Sequence, residues 1–455
     1  MGIGNWLVKK LGIKVPYLTG YATVGSARPV YDRYNQELNV NRYVTQDDIY
    51  SVVRMIAKTA AQVPVRVYKV KDKQKFKKYQ YAVKTNDASP SAALRIMKLK
   101  QAAMEEVGGD DELQKLLDSP NDTYTRAEFM EGFFTMRLIC GNAYVYIPRL
   151  EDGVNTGKTT GMWLMPTQFT NPVITQTFPK EITNYQMRLF GIVDIPLSDV
   201  MHSRYYNPQS TVMGDELIGL SPLQALSRNA QKGMSENDFM VSSFQNHGSN
   251  GVLSFEGLDE TEAATLGQKK KDFYQETSGT INAMKTYWTS AKVNYTALGQ
   301  SVVDMQVLES QMMTLKKFCN AYGVSARLFN NDGTGSIVSD TNARKSLYLN
   351  AVIPEVSAWC DIVNKDLAKA YGEGYYVDFD VTEIAELQTD MKLLADSLAV
   401  AWWLTPNEKR TVQNFGALPD ENMDKVLVPS GMQYLEDLVP VEPLDNNAND
   451  YGAKP

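Results

Sequence analysis

The chain has 455 residues, of which 43% are hydrophobic and 22% charged, and its formal net charge is −7. This length permits roughly two to four structural units, each with a sizeable core. The longest apolar runs fall short of the ~18 residues of a membrane span, and the acidic balance disfavours tight nucleic-acid binding, which depends on neutralising phosphates with Lys and Arg.

The first part of the chain predicts an arm, a helix and a strand. Residues 1–40 are polar and contain several glycines, which is typical of an arm that neighbouring structure orders. Residues 45–48, Thr-Gln-Asp-Asp, follow the pattern of a capping box and predict the start of an amphipathic helix. Pro64 ends this helix, and residues 65–70 alternate as a half-buried strand does.

A lysine-rich run follows between residues 66 and 100, whereas residues 380–450 are predominantly acidic. The basic run includes Lys69, Lys71, Lys73, Lys75, Lys77 and Lys78. A run of like charges is typical of a solvated surface, so we expect a solvated hairpin and linker here.

Residues 125–128, Thr-Arg-Ala-Glu, form a second capping box, and the helix it predicts is followed by a strand at residues 143–147. Beyond it, residues 153–159 read Gly-Val-Asn-Thr-Gly-Lys-Thr, which is close to a phosphate-binding P-loop. A P-loop needs four residues between its glycines and a helix after its Lys-Ser/Thr. Here three residues intervene and a strand-like run follows, so we favour a hairpin loop. A P-loop nucleotide-binding protein is kept as an alternative that loss of ATP binding in Lys158→Ala would support.

Ser221 and Pro222 predict a helix from there to about residue 247, because Ser caps a helix and Pro suits its first turn. A compact unit then spans residues 248–303, with a helix capped by Asp259 and Glu262 and a strand-like stretch near residues 283–298.

The next stretch predicts two helices joined by a polar loop. One apolar seam runs along the first helix at steps of three and four residues. Its members are Met305, Leu308, Met312, Leu315, Cys319 and Tyr322. Gly333 and Gly335, among Asn and Asp residues, indicate a loop. Helical periodicity returns from about Asn342, and Pro354 within it predicts a kink or break near Asn350.

The C-terminal part predicts a strand at residues 375–381, a striped helix from Leu387 to Trp402, and a further helix that Thr405 and Pro406 begin. From Val439 onward the chain is rich in Pro, Asn, Asp and Gly, so we expect no stable fold in this tail.

The sequence contains few cysteine and histidine side chains that could serve in catalysis, metal binding or disulfide bonds. The three cysteines, Cys140, Cys319 and Cys360, are widely spaced, and the two histidines, His202 and His247, have no partner at motif spacing. We therefore predict no metal site, no cofactor, no catalytic residue and no disulfide framework, and a reducing compartment suits the chain.

The order of a short amphipathic helix, a flexible loop and a long kinked helix resembles the stem helix, tunnel loop and long wing helix of portal proteins of tailed bacteriophages, in particular the Hong Kong 97-like family. Residues 51–68, 219–226 and 404–408 support the resemblance and lie in the order found in that family. The segment 71–109 departs from the family by being longer and more charged, and its basic run has contact with capsid or DNA as an alternative role.

The resemblance implies an α+β portal fold that assembles as a ring. It implies these regions: an N-terminal arm (1–40), an α+β wing (41–219), a first stem helix (220–247), a clip (248–303), a second stem helix (304–323), a tunnel loop (324–342), a long kinked helix with a wing strand (343–382), a crown (383–438) and a flexible tail (439–455).

The function that the resemblance implies is non-enzymatic. A homo-oligomeric ring, a dodecamer in the family, would form the channel at one capsid vertex for packaging and ejection of double-stranded DNA. Its partners would be the major capsid protein, the terminase large subunit and the head–tail adaptor, with no membrane. The protein would reside at the portal vertex of the virion, and in the host cytoplasm during assembly.

The resemblance places the channel-facing residues in the tunnel loop, and we assign Arg327, Phe329, Asn330, Asn331 and Asp332 to this role. The six seam residues would pack the stem. The other alternative is a structural capsid or adaptor protein that forms no channel. Long stem helices would be unnecessary in such a protein, and particles that lack an axial hole would favour it.

Overall fold

The structure is a computed structural model. It describes residues 35–85, 90–151, 155–175, 179–189, 191–209, 215–245, 251–256, 292–297, 307–329, 337–379, 384–387, 396, 398–412 and 416–426. The helices of this part are α1 (Gln36–Thr45), α2 (Asp47–Gln62), α3 (Lys73–Lys84), α4 (Pro90–Ala103), α5 (Glu112–Asp118), α6 (Arg126–Cys140), α7 (Pro222–Ala225), α8 (Ser227–Gln245), α9 (Val307–Tyr322), α10 (Ile337–Leu347), α11 (Ile353–Asp366), α12 (Ala368–Tyr371) and α13 (Pro406–Val412). Within these ranges every helix is too short or too polar to cross a membrane.

The strands are short and antiparallel. They are β1 (Val65–Val70), β2 (Met104–Glu106), β3 (Asn142–Tyr146), β4 (Trp163–Leu164), β5 (Thr170–Ile174), β6 (Ile182–Arg188), β7 (Ile192–Pro196), β8 (Val200–Arg204), β9 (Gly251–Glu256), β10 (Lys292–Ala297) and β11 (Tyr375–Phe379). They form sheets of order β11-β1-β2, β4-β3-β8, β5-β6-β7 and β10-β9. Helices and small sheets both contribute, so the fold is of the predicted α+β class.

The largest core lies where α2, α6 and α11 meet. Apolar residues recur along α2 at helical spacing, so Ile49 and Ile56 share one face and are fully buried. On α11, Trp359 packs against Phe129 and Phe133 of α6, with ring centroids 6.0 and 4.7 Å away. Aromatic rings of this size dominate core energetics, so this junction joins the late helix α11 to the early helices of the chain.

The sheet around β1 also joins distant parts of the chain. β11 pairs antiparallel with β1 from Val65 opposite Phe379 to Lys69 opposite Tyr375. The strand predicted at residues 65–70 is confirmed, and the strand predicted at residues 375–381 is its neighbour.

The capping predictions have mixed outcomes. The box at Thr125 is confirmed: its side chain accepts from the backbone N–H of Glu128, and the Glu128 carboxylate accepts in return from the Thr125 N–H. The box at Thr45 is wrong. Thr45 is the last residue of α1, and its hydroxyl donates to the carbonyl oxygen of Asn41 (2.8 Å). A preceding helix reaches this position, so α2 begins at Asp47 without a side-chain cap.

The prediction of a solvated hairpin and linker over the lysine-rich segment is also wrong, because two helices occupy most of it. Helices α3 and α4 pack against each other and lead into strand β2. Tyr79, Ala103 and Met104 are buried in a small core of their own, so the segment folds on an apolar interior. The lysines lie on the outer faces of these helices, and their density along the sequence masks the few apolar positions that the core needs.

The irregularity predicted near Asn350 is a π-helical turn at Tyr348–Val352 between α10 and α11. Pro354 has no backbone N–H, so the α-helical bond to the carbonyl of Asn350 cannot form. A π-helical turn is one way in which a helix accommodates such a missing bond.

Candidate stem helices and channel loop

Helices α8 and α9 lie against each other, and strands β9 and β10 lie between them in the sequence. These strands pair antiparallel, with Gly251 opposite Ala297 and Glu256 opposite Lys292. Gly251 and Ala297 lie at one end of this pair and Glu256 and Lys292 at the other, and the chain runs from α8 to β9 and from β10 to α9.

Polar side chains connect α8 and α9. The Ser310 hydroxyl donates to Oε1 of Glu236 (2.5 Å), and Nε2 of Gln311 donates to Oδ1 of Asn237 (2.9 Å). Asp48 at the start of α2 is also close to Glu236. Its burial, together with the charges of Asp47 and Glu236, raises the pKa of Asp48 to about 6. The carboxylates of Asp47, Asp48 and Glu236 therefore form a cluster beside α8 and repel one another.

The described side chains of the predicted seam on α9 differ in burial. Cys319 and Tyr322 are buried in the main core, and Leu315 packs against its edge. The Tyr322 hydroxyl donates to the carbonyl oxygen of Leu138 (3.1 Å), which anchors this end of α9 on α6. Met312 is 49% exposed. Of the other two seam residues, Met305 lies outside the described residues, and Leu308 lies on α9 with its side chain outside the description.

Sequence reasoning missed two buried residues on α9. Phe318 is 1% exposed and Thr314 is 1% exposed, although both lie beside the predicted seam rather than on it. Phe318 contacts the main core, and the Thr314 hydroxyl donates to the carbonyl oxygen of Ser310 (3.0 Å). The signal that could have found them is the width of the apolar stripe, because a helix that packs on a globular core buries more than one narrow row.

The predicted tunnel loop, residues 324–342, begins directly after Gly323, which follows α9 with a φ of 71°. Residues 326–328 then form a short 3-10 turn. Arg327 lies on this turn with an exposed side chain, whereas Phe329 is partly buried against the main core. Asn330, Asn331 and Asp332 lie outside the described residues. The first, described part of the loop is thus continuous with the core on the side of Phe329, whereas the side chain of Arg327 is exposed.

A buried ionic network joins α11 to α6 and β8. Nε of Arg137 donates to Oε2 of Glu355 (2.7 Å), and Nη1 of Arg137 donates to Oγ of Ser203 (2.7 Å). Tyr205 donates its hydroxyl to Oε1 of Glu355 (2.5 Å). Burial and the neighbouring Glu355 charge raise the pKa of Tyr205, so its hydroxyl stays protonated. Glu355 is the third residue after the end of the π-helical turn at Val352, so the network holds the first turn of α11, next to the irregularity.

The described P-loop-like residues, 155–159, lie in a turn followed by a β-bridge, as expected for a hairpin loop, and residues 153 and 154 lie outside the described residues. Arg149 and Thr159 make an antiparallel bridge, and residues 155–157 form the turn, with Gly157 at a φ of 84°. Nζ of Lys158 is 2.5 Å from Oε2 of Glu112 and 5.7 Å from the centre of the Tyr371 ring. The short strand β4 follows rather than the helix that a P-loop requires, and the N–H groups of Gly157 and Lys158 donate to the carbonyl oxygens of Leu150 and Asn155.

His202 is a partly buried structural residue. Its Nε2 lies 3.0 Å from Oδ1 of Asn142, and its Nδ1 lies 3.3 Å from the Tyr185 hydroxyl. Asn142 offers its oxygen, so Nε2 carries the proton and Nδ1 accepts from Tyr185. Burial, with Arg204 as the next contribution, lowers the pKa of His202 to about 3, which keeps the ring neutral. His247 lies outside the described residues.

The cysteines are buried free thiols. Burial raises the pKa of Cys140 to about 12 and that of Cys319 to about 11, and it raises the pKa of Cys360 well above its ordinary value. Neutral, buried thiols are poor nucleophiles and poor metal ligands. Among the described residues, no group of three or more His, Cys, Asp or Glu side chains could hold a metal ion.

Comparison with known proteins identifies the class. The family model described as "Phage portal protein" matches residues 84–414, which is most of the chain. The chain belongs to the phage portal protein family. Portal proteins are structural and non-enzymatic. As a member of this family, the chain is a component of the portal vertex of a virion.

Two curated relatives and two solved structures are similar to the chain. An uncharacterized protein of Rickettsia bellii is 23% identical over 398 residues, covering 84% of this chain and 90% of that protein. One of Rickettsia felis is 25% identical over 312 residues, covering 65% and 75%. The structures are the necks of an empty and of a native gene transfer agent (GTA) particle, computed with C6 and C12 symmetry. They have TM-scores of 0.59 and 0.58, are each 18% identical, and cover 87% of this chain and 97% of theirs.

Proposed function

We propose that the chain assembles into a ring that forms a channel at one capsid vertex, through which double-stranded DNA is packaged and later ejected. The ring is also the docking platform for the terminase large subunit and the head–tail adaptor, and it sits against the major capsid protein. Family membership supports the portal role. The symmetry of the similar neck reconstructions supports a closed ring of about twelve copies, the kind of particle being a phage or a gene transfer agent.

The observation that carries the ring is a set of exposed apolar side chains on the stem. Met234 and Val241 of α8 are 39% and 54% exposed, and Met312 and Met313 of α9 are 49% and 52% exposed. Met234 and Val241 are seven residues apart, so they share one face of α8. Apolar side chains grouped on two adjacent helices favour a partner surface, and a neighbouring copy offers the complementary helix in a closed ring.

We assign each proposed region of the portal to elements of the fold. α8 and α9 are the two stem helices, the β9–β10 unit is the clip, the sheets with α2, α6 and α11 are the wing, and the segment after residue 383 is the crown. The tunnel loop after α9 faces the lumen, with Arg327 and Phe329 followed by Asn330, Asn331 and Asp332 closest to DNA. The acidic net charge suits a channel, because DNA that slides must not be held by dense phosphate neutralisation.

The ring is tested by measuring the mass of the purified protein by light scattering together with negative-stain imaging. Rings of many copies with a central hole are expected. Replacing both exposed methionines of α9, Met312→Glu and Met313→Glu, should shift the protein to monomers, because the charges cannot be buried between copies. The matched control is Asn320→Glu, an exposed polar position on the same helix, which should leave the rings intact.

A stable wild-type monomer at high concentration, in the presence of its capsid partner, contradicts the channel and favours the non-channel structural capsid or adaptor protein. Rings that persist in the double variant keep the channel but place the subunit contact elsewhere than on α9. Circular dichroism checks that each variant retains its helices.

The docking role of the clip is tested by shortening it. Glu256 lies directly opposite Lys292, so a two-residue Asn-Gly turn can replace residues 257–291 without disturbing the β9–β10 pair. Rings are expected to form from this variant, and binding of the terminase large subunit and of the adaptor is expected to be lost in a pull-down. Retained binding of both proteins contradicts the assignment of the clip as their platform.

A further inference from the structure

A groove of about 500 Å³ lies where the helical pair α3–α4 meets the segment that precedes α13. Its rim carries four cationic side chains, Lys75, Lys78, Arg95 and Lys98. Its floor is apolar and includes Leu99 and Leu404. The groove is therefore suited to a segment that combines acidic and apolar side chains.

The positive charge of the rim is only partly compensated. Nζ of Lys98 is 2.7 Å from Oε1 of Glu408, and Nζ of Lys75 is 4.0 Å from Oδ2 of Asp72. Within the described part of the chain, no carboxylate lies within ion-pair distance of Lys78 or Arg95. Both side chains are exposed, so an acidic partner could reach them without displacing protein structure.

The described chain ends close to this groove. Nδ2 of Asn407 donates to Oδ1 of Asp424 (2.8 Å), and the next residue, Glu408, is the partner of Lys98 on the groove rim. Val426 is the last described residue, and Asp424 precedes it by two positions. The chain thus leaves the described structure within a few residues of the groove.

The segment that follows has the matching chemistry. Residues 427–455 contain five acidic side chains and one lysine. Within it, Glu436 and Asp437 stand between Leu435 and Leu438. About ten residues separate Val426 from Glu436, and an extended chain of that length reaches roughly 33 Å, so the acidic pair is within range of the rim.

We propose that this groove is the docking site for the chain's own acidic C-terminal segment, residues 427–455, with Glu436 and Asp437 facing Lys78 and Arg95. Leu435 and Leu438 cover the apolar floor. Each exposed ion pair contributes little by itself. The covalent tether compensates, because a short linker holds the segment at an effective concentration in the millimolar range.

The proposal goes beyond the portal function and concerns the single chain. α3 lies largely before residue 84 and the acidic segment lies after residue 414, so both lie largely outside the region that the family model matches. A docked segment shields the basic face of α3 and α4 from other anionic partners, and its release exposes that face.

The test is zero-length carbodiimide crosslinking of the full chain, followed by peptide mass spectrometry. Crosslinks from Lys75 or Lys78 to Glu436 or Asp437 are expected at a yield similar to that of the Lys98–Glu408 crosslink, which serves as the internal standard. The variant Lys78→Glu should lose its crosslink to the acidic pair, and adding Glu436→Lys should restore one with the reversed polarity. Lys77→Glu, an exposed position on α3 that does not line the groove, is the matched control and should change nothing.

Formation of the Lys98–Glu408 crosslink without any crosslink between residues 427–455 and the groove overturns the proposal. An equal mixture of isotopically labelled and unlabelled chains distinguishes the source of the segment. Crosslinks that join only peptides of the same label support docking within one chain. Crosslinks of which about half join a labelled to an unlabelled peptide, the share expected from random pairing of copies, assign the groove to the segment of a second copy and overturn docking within one chain. Ring formation is measured separately on the same samples, so failure of this proposal is distinguishable from failure of the channel.

Discussion

Replacing Arg137 with Met should remove the buried ionic network that holds α11 against α6. The side chains of Arg137 and Glu355 are 8% and 7% exposed, and their ion pair measures 2.7 Å. The Arg137 guanidinium also donates to Ser203 and stacks over the Tyr205 ring, 4.3 Å from its centre. Met preserves the length of the side chain but has no donor, so Glu355 keeps only the hydrogen bond from Tyr205.

The expected loss is large because the remaining carboxylate is buried. Removing one partner of a buried ion pair costs about 3–5 kcal/mol. Removing both charges with Arg137→Met and Glu355→Leu leaves no buried charge, so the double variant should be more stable than Arg137→Met by about 2 kcal/mol. Tyr205 then lacks an acceptor, which costs about 1 kcal/mol and keeps the double variant below wild type.

Urea unfolding of the full chain, followed by tryptophan fluorescence, measures these differences. The control is Lys71→Met, which removes the ion pair between Lys71 and Glu105, whose side chains are 56% and 64% exposed. An exposed pair of this kind contributes about 0–1 kcal/mol. The reasoning is refuted if Arg137→Met destabilises the chain no more than Lys71→Met does. A double variant that is less stable than Arg137→Met shows that packing, rather than the unpaired charge, accounts for the loss.

Three further predictions concern His202, Trp359 and the pair of glycines Gly141 and Gly157. The folded chain holds His202 at a pKa of about 3 against an ordinary 6.5, so the unfolded state binds the proton first. Stability should therefore fall as the pH drops below about 6.5, by about 1.4 kcal/mol per pH unit from this residue, and urea midpoints of His202→Gln should depend less on pH. Trp359→Ala should cost about 3–5 kcal/mol in urea unfolding, because the indole fills the space between α6 and α11; a loss under about 1 kcal/mol would contradict that packing. Gly141→Ala should cost several-fold more than Gly157→Ala in thermal melts. Both glycines have positive φ, but a Cβ at Gly141 would lie 2.5 Å from the backbone of Leu220, whereas nothing lies within 4 Å of one at Gly157; equal losses would contradict the role of the contact.

Local patterns determined many of the elements. The cap at Thr125, the cap-and-proline start at Ser221, and the similar start at Thr405 are all present, with the side-chain to backbone bonds that the patterns predict. The irregularity before Pro354 follows from one missing N–H. Each of these features involves atoms within a few residues of one another, so the energy that favours it is readable from a short stretch of sequence.

Local patterns failed where neighbouring structure intervened. At Thr45 a capping pattern was overridden because α1 already occupies that position. Between residues 71 and 109 the dense lysines hid a small core around Tyr79 and Met104. In both cases the outcome depends on which surfaces are covered by other parts of the chain, and charge or capping statistics carry no such information.

The sequence by itself determined the α+β class. It also determined the order of an amphipathic helix, a loop and a kinked helix, and this order indicated the family. Tertiary structure alone decided which residues work together. Arg137 and Glu355 are 218 positions apart, and His202 meets Asn142 60 positions away. On α9, Tyr322 is buried because it contacts Leu138 near the end of α6, whereas Met312 is exposed. The physical reason is that a periodic pattern specifies which face of an element is apolar, whereas burial, pairing and pKa depend on distant residues that the fold brings to that face.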